Sequence, residues 1–203
     1  MLTDREEFNL LISKISNREG INNLVKWLET TDFFTAPAST KYHNANVGGL
    51  LNHVVNVTKC ALKLYEDYKN DDLFSNKQSA VTEESIIICG LFHDLCKINV
   101  YSTEQRNRKN AEGQWESYDT YVFKENFPLP HATKSLYMLQ NFVKLNASEI
   151  MAIAHHMGNG DPSNNAVNGY NNKAMQDAFN RYHLAIIIHM ADMMSSFLVE
   201  TRN

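Results

Sequence analysis

Apolar residues recur at helical spacing, every three or four positions, through most of this sequence. The longest such run predicts a helix from about Leu50 to Tyr68, because a helix that packs on a core carries its apolar residues along one face. The same pattern predicts two earlier helices, over residues 5–16 and 19–30, with a break at Asn17 and Gly20. The N-terminal part of the chain is therefore expected to be helical.

Further helices are predicted in the rest of the chain, each introduced by a recognisable start signal. TEES at Thr82 and NASE at Asn146 have the form of capping boxes, and Pro128 and Pro130 stand before another helix start. The predicted segments span residues 82–97, 131–144, 146–157 and 173–200, the last of them broken near Arg181.

Residues 99–130 interrupt the helical pattern. Within them, Gly113 is a turn candidate, and four aromatic residues follow it between Trp115 and Phe123, a composition typical of a strand. We therefore expect an all-α helical bundle with a small β-hairpin inserted around residues 113–124.

The chain shows no repeat, low-complexity tail or clear linker, which favours a single domain over residues 1–203. Residues 1–32 are expected to supply helices that pack on a core formed by residues 33–200. The content of 43% apolar and 21% charged residues is that of an ordinary globular protein.

Charge and cysteine content narrow the functional classes. A formal net charge of −4 gives no general reason to expect a nucleic-acid partner, so any anionic substrate must be held by local cations or metal. The three cysteines form no CxxC pair and are expected to be buried free thiols.

The acidic start lacks a signal-peptide pattern, and the longest apolar runs are too short to span a bilayer. A cytoplasmic protein without a membrane partner is expected.

Several histidines and aspartates lie in apolar helical segments, where a charged group needs a partner. Each one alone is explained as a hydrogen-bonded core or surface residue. Together, imidazole and carboxylate form a ligand set for Fe, Mn, Ni, Co or Zn. The residues of this set are His53, His93, Asp94, His131, His155, His156 and Asp192.

This ordered set resembles the HD-domain superfamily of metal-dependent phosphohydrolases. The similarity is closest to a sub-group of bacterial and phage hydrolases. The resemblance covers about residues 33–200. The segments that carry it are APASTKYH, GGLLNH, HDLCK, QRNRK with GQW, PLPHATKS, AIAHHMG and HMADM. Two positions depart from the family pattern, since Cys96 and Ala132 stand where glycine is usual.

The resemblance implies a metal site and its ligands. A site for one ion would use His53, His93, Asp94 and Asp192. The additional His131 and His156 match members that hold two ions, with Asp94 bridging them. His156, rather than His155, aligns with the family ligand.

The resemblance also suggests roles around the metal. Asp94 and Lys97 are the predicted catalytic residues, with Asp94 kept ionised by metal rather than by a salt bridge and Lys97 meeting a phosphate. As an alternative, Lys97 is a solvated lysine at a helix C-terminus. His155 and His189 are candidates for orienting a ligand or binding metal. The predicted substrate contacts are Lys41, His43, Arg106 and Lys109. For Arg106 and Lys109 the alternative is a solvated charge run, which is the commoner case.

The function implied is hydrolysis of a phosphoester of a nucleotide or similar phosphorylated small molecule, with one or two divalent transition metal ions. One alternative is a 3′–5′ exonuclease or phosphodiesterase acting on nucleic acid, which the net negative charge disfavours. Another is a non-catalytic regulatory module with a structural metal. The methionines Met190, Met193 and Met194 are expected to pack in the core.

Overall fold

The computed structural model describes residues 2–42, 44–74, 76–158 and 170–200, and only the backbone of residues 170–172. The predicted all-α fold with one hairpin is confirmed. The helices are α1 Asp4–Lys14, α2 Ile21–Leu28, α3 Gly49–Asn70, α4 Glu83–Phe92, α5 His131–Gln140, α6 Ala147–Ala154, α7 Tyr170–Arg181 and α8 His183–Met194, and the strands are β1 Tyr101–Lys109 and β2 Trp115–Phe123. A 3₁₀ turn spans Leu95–Lys97, and a short π-helix spans Ser195–Val199.

Helix α3 lies at the centre of the fold and packs against α4 and α8. The apolar face predicted for it is largely buried, with Leu50, Val54, Val57 and Ala61 fully enclosed. Gly90 of α4 lies against Thr58 of α3, where an added Cβ would come within 2.5 Å of the threonine Oγ1. This close approach brings the two helices together and determines how near their polar residues can lie.

The N-terminal helices pack on the same core. Thr3 caps α1 and forms a reciprocal capping box with Glu6, which satisfies backbone donors at the helix start. Phe8 of α1 is fully buried, and its ring lies 5.8 Å from Phe33 and 6.5 Å from Phe92 of α4. The described residues of the N-terminal part thus share the apolar core of the rest, while the proposed domain limits stay a prediction.

Two helix ends differ from the prediction. Helix α4 ends at Phe92 instead of Lys97, because the chain turns at His93 and Asp94 into the 3₁₀ turn. Helix α5 ends at Gln140 instead of Lys144, and the ring of Phe142 beyond it stacks 5.2 Å from Trp27 of α2. The predicted break near Arg181 is observed between α7 and α8, which are bent by 108°.

The hairpin is longer than predicted. β1 pairs antiparallel with β2 so that Tyr101 lies opposite Phe123 and Lys109 opposite Trp115. The turn at residues 110–114 places Gly113 at a φ of 79°, which favours glycine. The predicted span of residues 113–124 contained only the turn and β2.

The outcome for the sulfur-containing residues is mixed. Cys89 and Cys96 are buried free thiols as predicted, whereas Cys60 is only half-buried. The prediction that the methionines of α8 pack in the core is wrong for two of them, since Met190 is 46% exposed and Met193 is 50% exposed.

Within the described ranges, no single helix is both long and apolar enough to cross a membrane. The bent pair Lys173–Arg181 and His183–Val199 meets the length and composition criteria only when its two parts are taken together.

Candidate metal centre

The predicted ligands converge from helix ends and helix interiors spread over the chain. His53 lies in the second turn of α3, His93 and Asp94 follow α4, and Asp192 lies in α8. His131 opens α5, and His156 follows α6. All of these except His131 and Asp192 are almost completely buried. Convergence of side chains from several helices is how helical bundles form internal metal sites.

Three histidines present the same ring nitrogen to the centre. The Nδ1 of His93 lies 2.9 Å from the Gly90 carbonyl, and the Nδ1 of His156 lies 2.7 Å from the Ile153 carbonyl. Carbonyls only accept hydrogen bonds, so both Nδ1 atoms carry the proton, and Nε2 is left as a lone-pair donor. For His53, the Glu200 carboxylate plays the same part, at 3.0 and 3.2 Å from Nδ1.

One group of ligand atoms surrounds the Nε2 of His53. This nitrogen lies 3.4 Å from the Nε2 of His93, 3.4 Å from Asp94 Oδ2 and 3.4 Å from Asp192 Oδ1. Two nitrogen or oxygen atoms bound to one ion at about 2.0–2.2 Å lie no more than about 4.4 Å apart. The ligand atoms of His53, His93 and Asp192 all lie within 4.8 Å of one another, so these three side chains fit a single divalent ion, with Asp94 Oδ2 beside His53.

The other oxygen of Asp94 faces a second group. Oδ1 lies 2.8 Å from the Nε2 of His131 and 3.7 Å from the Nε2 of His156. The His156 nitrogen is buried and has no hydrogen-bond partner among the residues that the structure describes, which is costly unless something else binds it. An ion between these atoms would satisfy it, so the residues fit a second metal with Asp94 as the bridge.

Electrostatics keep the carboxylates of this centre ionised. Burial raises the pKa of Asp94, but Lys97, His93 and His131 outweigh it and hold that pKa well below its usual range. The Lys97 Nζ lies 2.7 Å from Asp94 Oδ2, so the expectation that Asp94 has no salt bridge is wrong. Burial likewise raises the pKa of Asp192, and the surrounding histidines lower it overall.

The pKa values of two histidines of the centre are raised. Burial alone would lower the pKa of His53, yet Asp94, Glu200 and Asp192 raise it to about 9. Burial also opposes the charged form of His131, but Cys96 and Asp94 raise its pKa to about 9. Protons and divalent cations therefore compete for the same nitrogens.

Comparison with known proteins identifies the family. The family model described as HD domain matches residues 50–195. This chain belongs to the HD-domain family. The resemblance seen in its motifs is thereby confirmed, and the matched range contains every predicted metal ligand of this HD domain but not Glu200.

A curated relative of the HD domain is the dihydroneopterin 2′,3′-cyclic phosphate phosphodiesterase of Methanocaldococcus jannaschii. The two are 28% identical over 106 residues, which cover 46% of this chain and 38% of the relative. The chain therefore matches well under half the length of that protein. No solved structure gives a significant match.

A cavity of about 400 Å³ opens beside the metal centre of the HD domain. On one side it meets His53, Asp94, His131, His156 and Asp192, together with Lys97. On the other side its walls are largely apolar or aromatic and half-exposed. These wall residues are Tyr42, Met157, Met193 and Phe197.

The remaining predicted site residues lie outside this cavity wall. Lys41, Arg106 and Lys109 are exposed and are not among the described residues that line it, and His43 lies outside the described residues. Their role as substrate contacts stays a prediction.

His155 and His189 stand next to the centre rather than in it. His155 caps the C-terminus of α6. The Nδ1 of His189 lies 2.6 Å from the backbone carbonyl of His156, and its ring stacks on Phe179 at 5.4 Å. His189 therefore fixes the backbone that carries the His156 ligand.

Several residues of the site were not identified from the sequence. Glu200 was not considered, although it is buried against His53. Met193 was assigned to the core, and Tyr42, Met157 and Phe197 were given no role, yet all four border the cavity. The proximity of Met193 and Phe197 to Asp192 in the same helical segment is the signal that would have found them.

Proposed function

We propose that this HD domain is a metal-dependent phosphohydrolase that cleaves a phosphoester of a small molecule with an aromatic ring, such as a nucleotide. The observation that carries the proposal is the position of Asp94. It is buried, its two oxygens face two separate histidine groups, and the same carboxylate borders a cavity of about 400 Å³. The relative named as a cyclic phosphate phosphodiesterase supports the phosphoester class.

The metal would supply Lewis acidity toward the phosphoryl group and activation of water. The chain's own contribution begins with Asp94 and the histidines, which hold the cation beside the cavity. Lys97 is the single lysine or arginine among the described residues that line the cavity. Its ammonium, already paired with Asp94 at 2.7 Å, is placed to donate a hydrogen bond to a phosphoryl oxygen.

The cavity walls support a substrate with a planar organic part. Phe197 is 66% exposed and Tyr42 is 59% exposed. Exposed side chains of this size are typical of surfaces that a ligand covers. Aromatic and thioether groups make favourable contacts with the face or edge of an aromatic ring. A nucleobase or a comparable heterocycle fits this chemistry.

A nucleic-acid substrate is less well supported. Nucleases that follow a strand use a groove of basic residues, whereas Lys97 is the one such residue in the described cavity wall. A purely structural metal also fits less well, because a structural site encloses its ion and this centre adjoins an open cavity.

The experiment is a hydrolysis screen of the metal-free protein reloaded separately with Mn²⁺, Fe²⁺, Co²⁺, Ni²⁺ or Zn²⁺. The substrates are nucleoside monophosphates, 2′,3′-cyclic nucleotides, bis(p-nitrophenyl) phosphate and single-stranded RNA. Asp94→Asn should lose activity and metal together, while Asp72→Asn, at an exposed position, should retain both. Metal-loaded protein that hydrolyses none of these esters would overturn the proposal, and cleavage of RNA alone would favour the nuclease.

A further inference from the structure

We infer that Cys96 is a metal ligand, and that its thiolate completes the ion position formed by Asp94 Oδ1 and His131. The inference rests on the proposed metal centre but concerns Cys96, a residue outside the predicted ligand set. It predicts that the two ion positions differ chemically, one holding only nitrogen and oxygen ligands and the other holding sulfur.

The distances around Cys96 fit coordination of a shared ion. Its Sγ lies 3.1 Å from Nδ1 and 3.7 Å from Nε2 of His131, and that Nε2 lies 2.8 Å from Asp94 Oδ1. One ligand atom from each of the three residues lies within 4.8 Å of the others. Sulfur and nitrogen bound to one ion at about 2.3 and 2.1 Å are separated by no more than about 4.4 Å.

The backbone holds the thiol in this place. Cys96 lies in the 3₁₀ turn after Asp94, and its N–H donates to the Ser135 hydroxyl of α5 at 3.0 Å. Because His131 opens the same helix, this hydrogen bond fixes the turn against the element that carries the histidine. Cys96 is only 4% exposed, so its sulfur faces the interior.

A second observation points to a ligand at the same position. The Nε2 of His156 is buried, has no hydrogen-bond partner among the described residues, and lies 3.7 Å from Asp94 Oδ1. The ring of His156 lies 5.2 Å from that of His131. Asp94, His131 and Cys96 thus offer three donors to one ion, and the His156 nitrogen faces the same Asp94 oxygen.

The composition of this set has a consequence for metal choice. A thiolate favours Zn²⁺, Fe²⁺ or Co²⁺ over hard cations such as Mg²⁺. On binding, the Cys96 thiol loses its proton to solvent, as a sulfur ligand must. The other position, with His53, His93 and Asp192, has no sulfur among its described ligands.

The test is a Co²⁺ titration of the metal-free full chain, followed by absorption spectroscopy. Cobalt bound to thiolate gives a charge-transfer band in the near ultraviolet, whereas cobalt bound only by nitrogen and oxygen gives visible d–d bands without it. We expect the band in the wild type, its loss in Cys96→Ser with the d–d bands retained, and its persistence in Cys60→Ser, the half-buried control.

The outcomes distinguish failure of this inference from failure of the proposed function. Wild-type protein that binds Co²⁺ and hydrolyses a phosphoester without the band would overturn the role of Cys96 alone. Failure to bind Co²⁺ at all would overturn both proposals. Because absence of the band from wild-type protein is decisive by itself, the inference can be overturned whether or not Cys96→Ser folds.

Discussion

Glu200 determines how His53 faces the metal centre. Its carboxylate accepts the Nδ1 proton of His53 at 3.0 Å and also the hydroxyl proton of Ser195. His93 and His156 are oriented by backbone carbonyls, which remain whatever side chain is substituted. Of these three histidines, His53 is therefore the one whose orientation depends on a replaceable side chain.

Glu200→Gln is expected to weaken metal binding by about 10- to 100-fold, because losing the carboxylate partner of a metal-binding histidine has effects of that size. Competition with a chromophoric chelator measures the affinity, and circular dichroism checks that the helices remain. Glu112→Gln, in the exposed turn of the hairpin, is the control and should bind as the wild type does. Wild-type affinity in a folded Glu200→Gln protein would show that other contacts orient His53.

The raised pKa values of His53 and His131 predict that the stability of the metal-free protein falls as pH rises, whereas its metal affinity increases. Both rise from 6.5 to about 9, so the folded state holds these protons more tightly than the unfolded chain. This stabilisation is complete below about pH 6.5 and is lost as the pH rises to about 9. Over the same window, metal affinity should increase as protons leave the nitrogens.

Thermal unfolding with chelator, compared with unfolding at a fixed metal concentration, measures both trends at constant ionic strength. The Tm of the metal-free protein should fall between about pH 6.5 and 9, and the increase in Tm caused by metal should grow. His131→Gln should reduce the slope without metal. A metal-free Tm that climbs across this window would contradict the assignment.

Candidate ligands could be found from the sequence because histidine and aspartate stand out in apolar helical segments, and the resemblance to HD domains selected the ligand set among them. Glu200 could not, since it lies 147 residues from His53, and a partner at that separation leaves no periodic signal. Cys96 could not be assigned either, because a thiol inside an apolar stretch has the pattern of an ordinary core residue.

At the scale of elements, helix faces were predictable and helix ends were not. The apolar pattern of LFHDLCKI continues through the end of α4, so it hides the turn at His93 and Asp94 that presents them to the metal centre. β1 was missed because its sequence, YSTEQRNRK, is almost wholly polar and its side chains are mostly exposed. Its strand conformation comes from pairing with β2 rather than from burial.

The contact between α3 and α4 gives a prediction for these elements. Gly90→Ala would place a Cβ 2.5 Å from Thr58 Oγ1 and 2.9 Å from Thr58 Cα. Overpacking of this kind typically costs about 1–3 kcal/mol, and here it should also separate His53 from His93. We expect a lower free energy of unfolding in urea and weaker metal binding together.

Thr58→Ala in the Gly90→Ala background provides the control for this contact. It removes the Oγ1 atom but leaves the backbone clash, so it should restore part of the stability and part of the metal affinity. Loss of stability with unchanged metal affinity would show that the helix contact does not set the geometry of the centre.

At the scale of the whole molecule, a partly buried ionic network joins the N-terminal part to the core that carries the metal centre. Arg18, between α1 and α2, contacts Glu149 of α6 at 2.9 Å and the Lys144 carbonyl at 2.8 Å. The Glu149 side chain is fully buried and also accepts from the Ser85 hydroxyl of α4 at 2.8 Å. Three separate parts of the chain therefore depend on one arginine.

Arg18→Met is expected to lower the free energy of unfolding by about 3–5 kcal/mol, because it leaves the buried Glu149 carboxylate without its cation. Lys14→Met is the matched control. Lys14 pairs with Glu83 of α4, but both side chains are about half-exposed, at 48% and 49%, so the loss should stay within about 1 kcal/mol. Urea unfolding followed by circular dichroism measures both, and equal losses would contradict the network.

The same experiment tests the single-domain prediction. The chain has two tryptophans, so in a Trp115→Phe background the fluorescence reports on Trp27 of α2 alone. Because the network and the Phe8 cluster bind the N-terminal helices to the core, the fluorescence and circular dichroism transitions should coincide in this Trp115→Phe protein. Separate transitions would mean that residues 1–32 unfold independently, and the stability of the metal centre would then be set by the remaining helices.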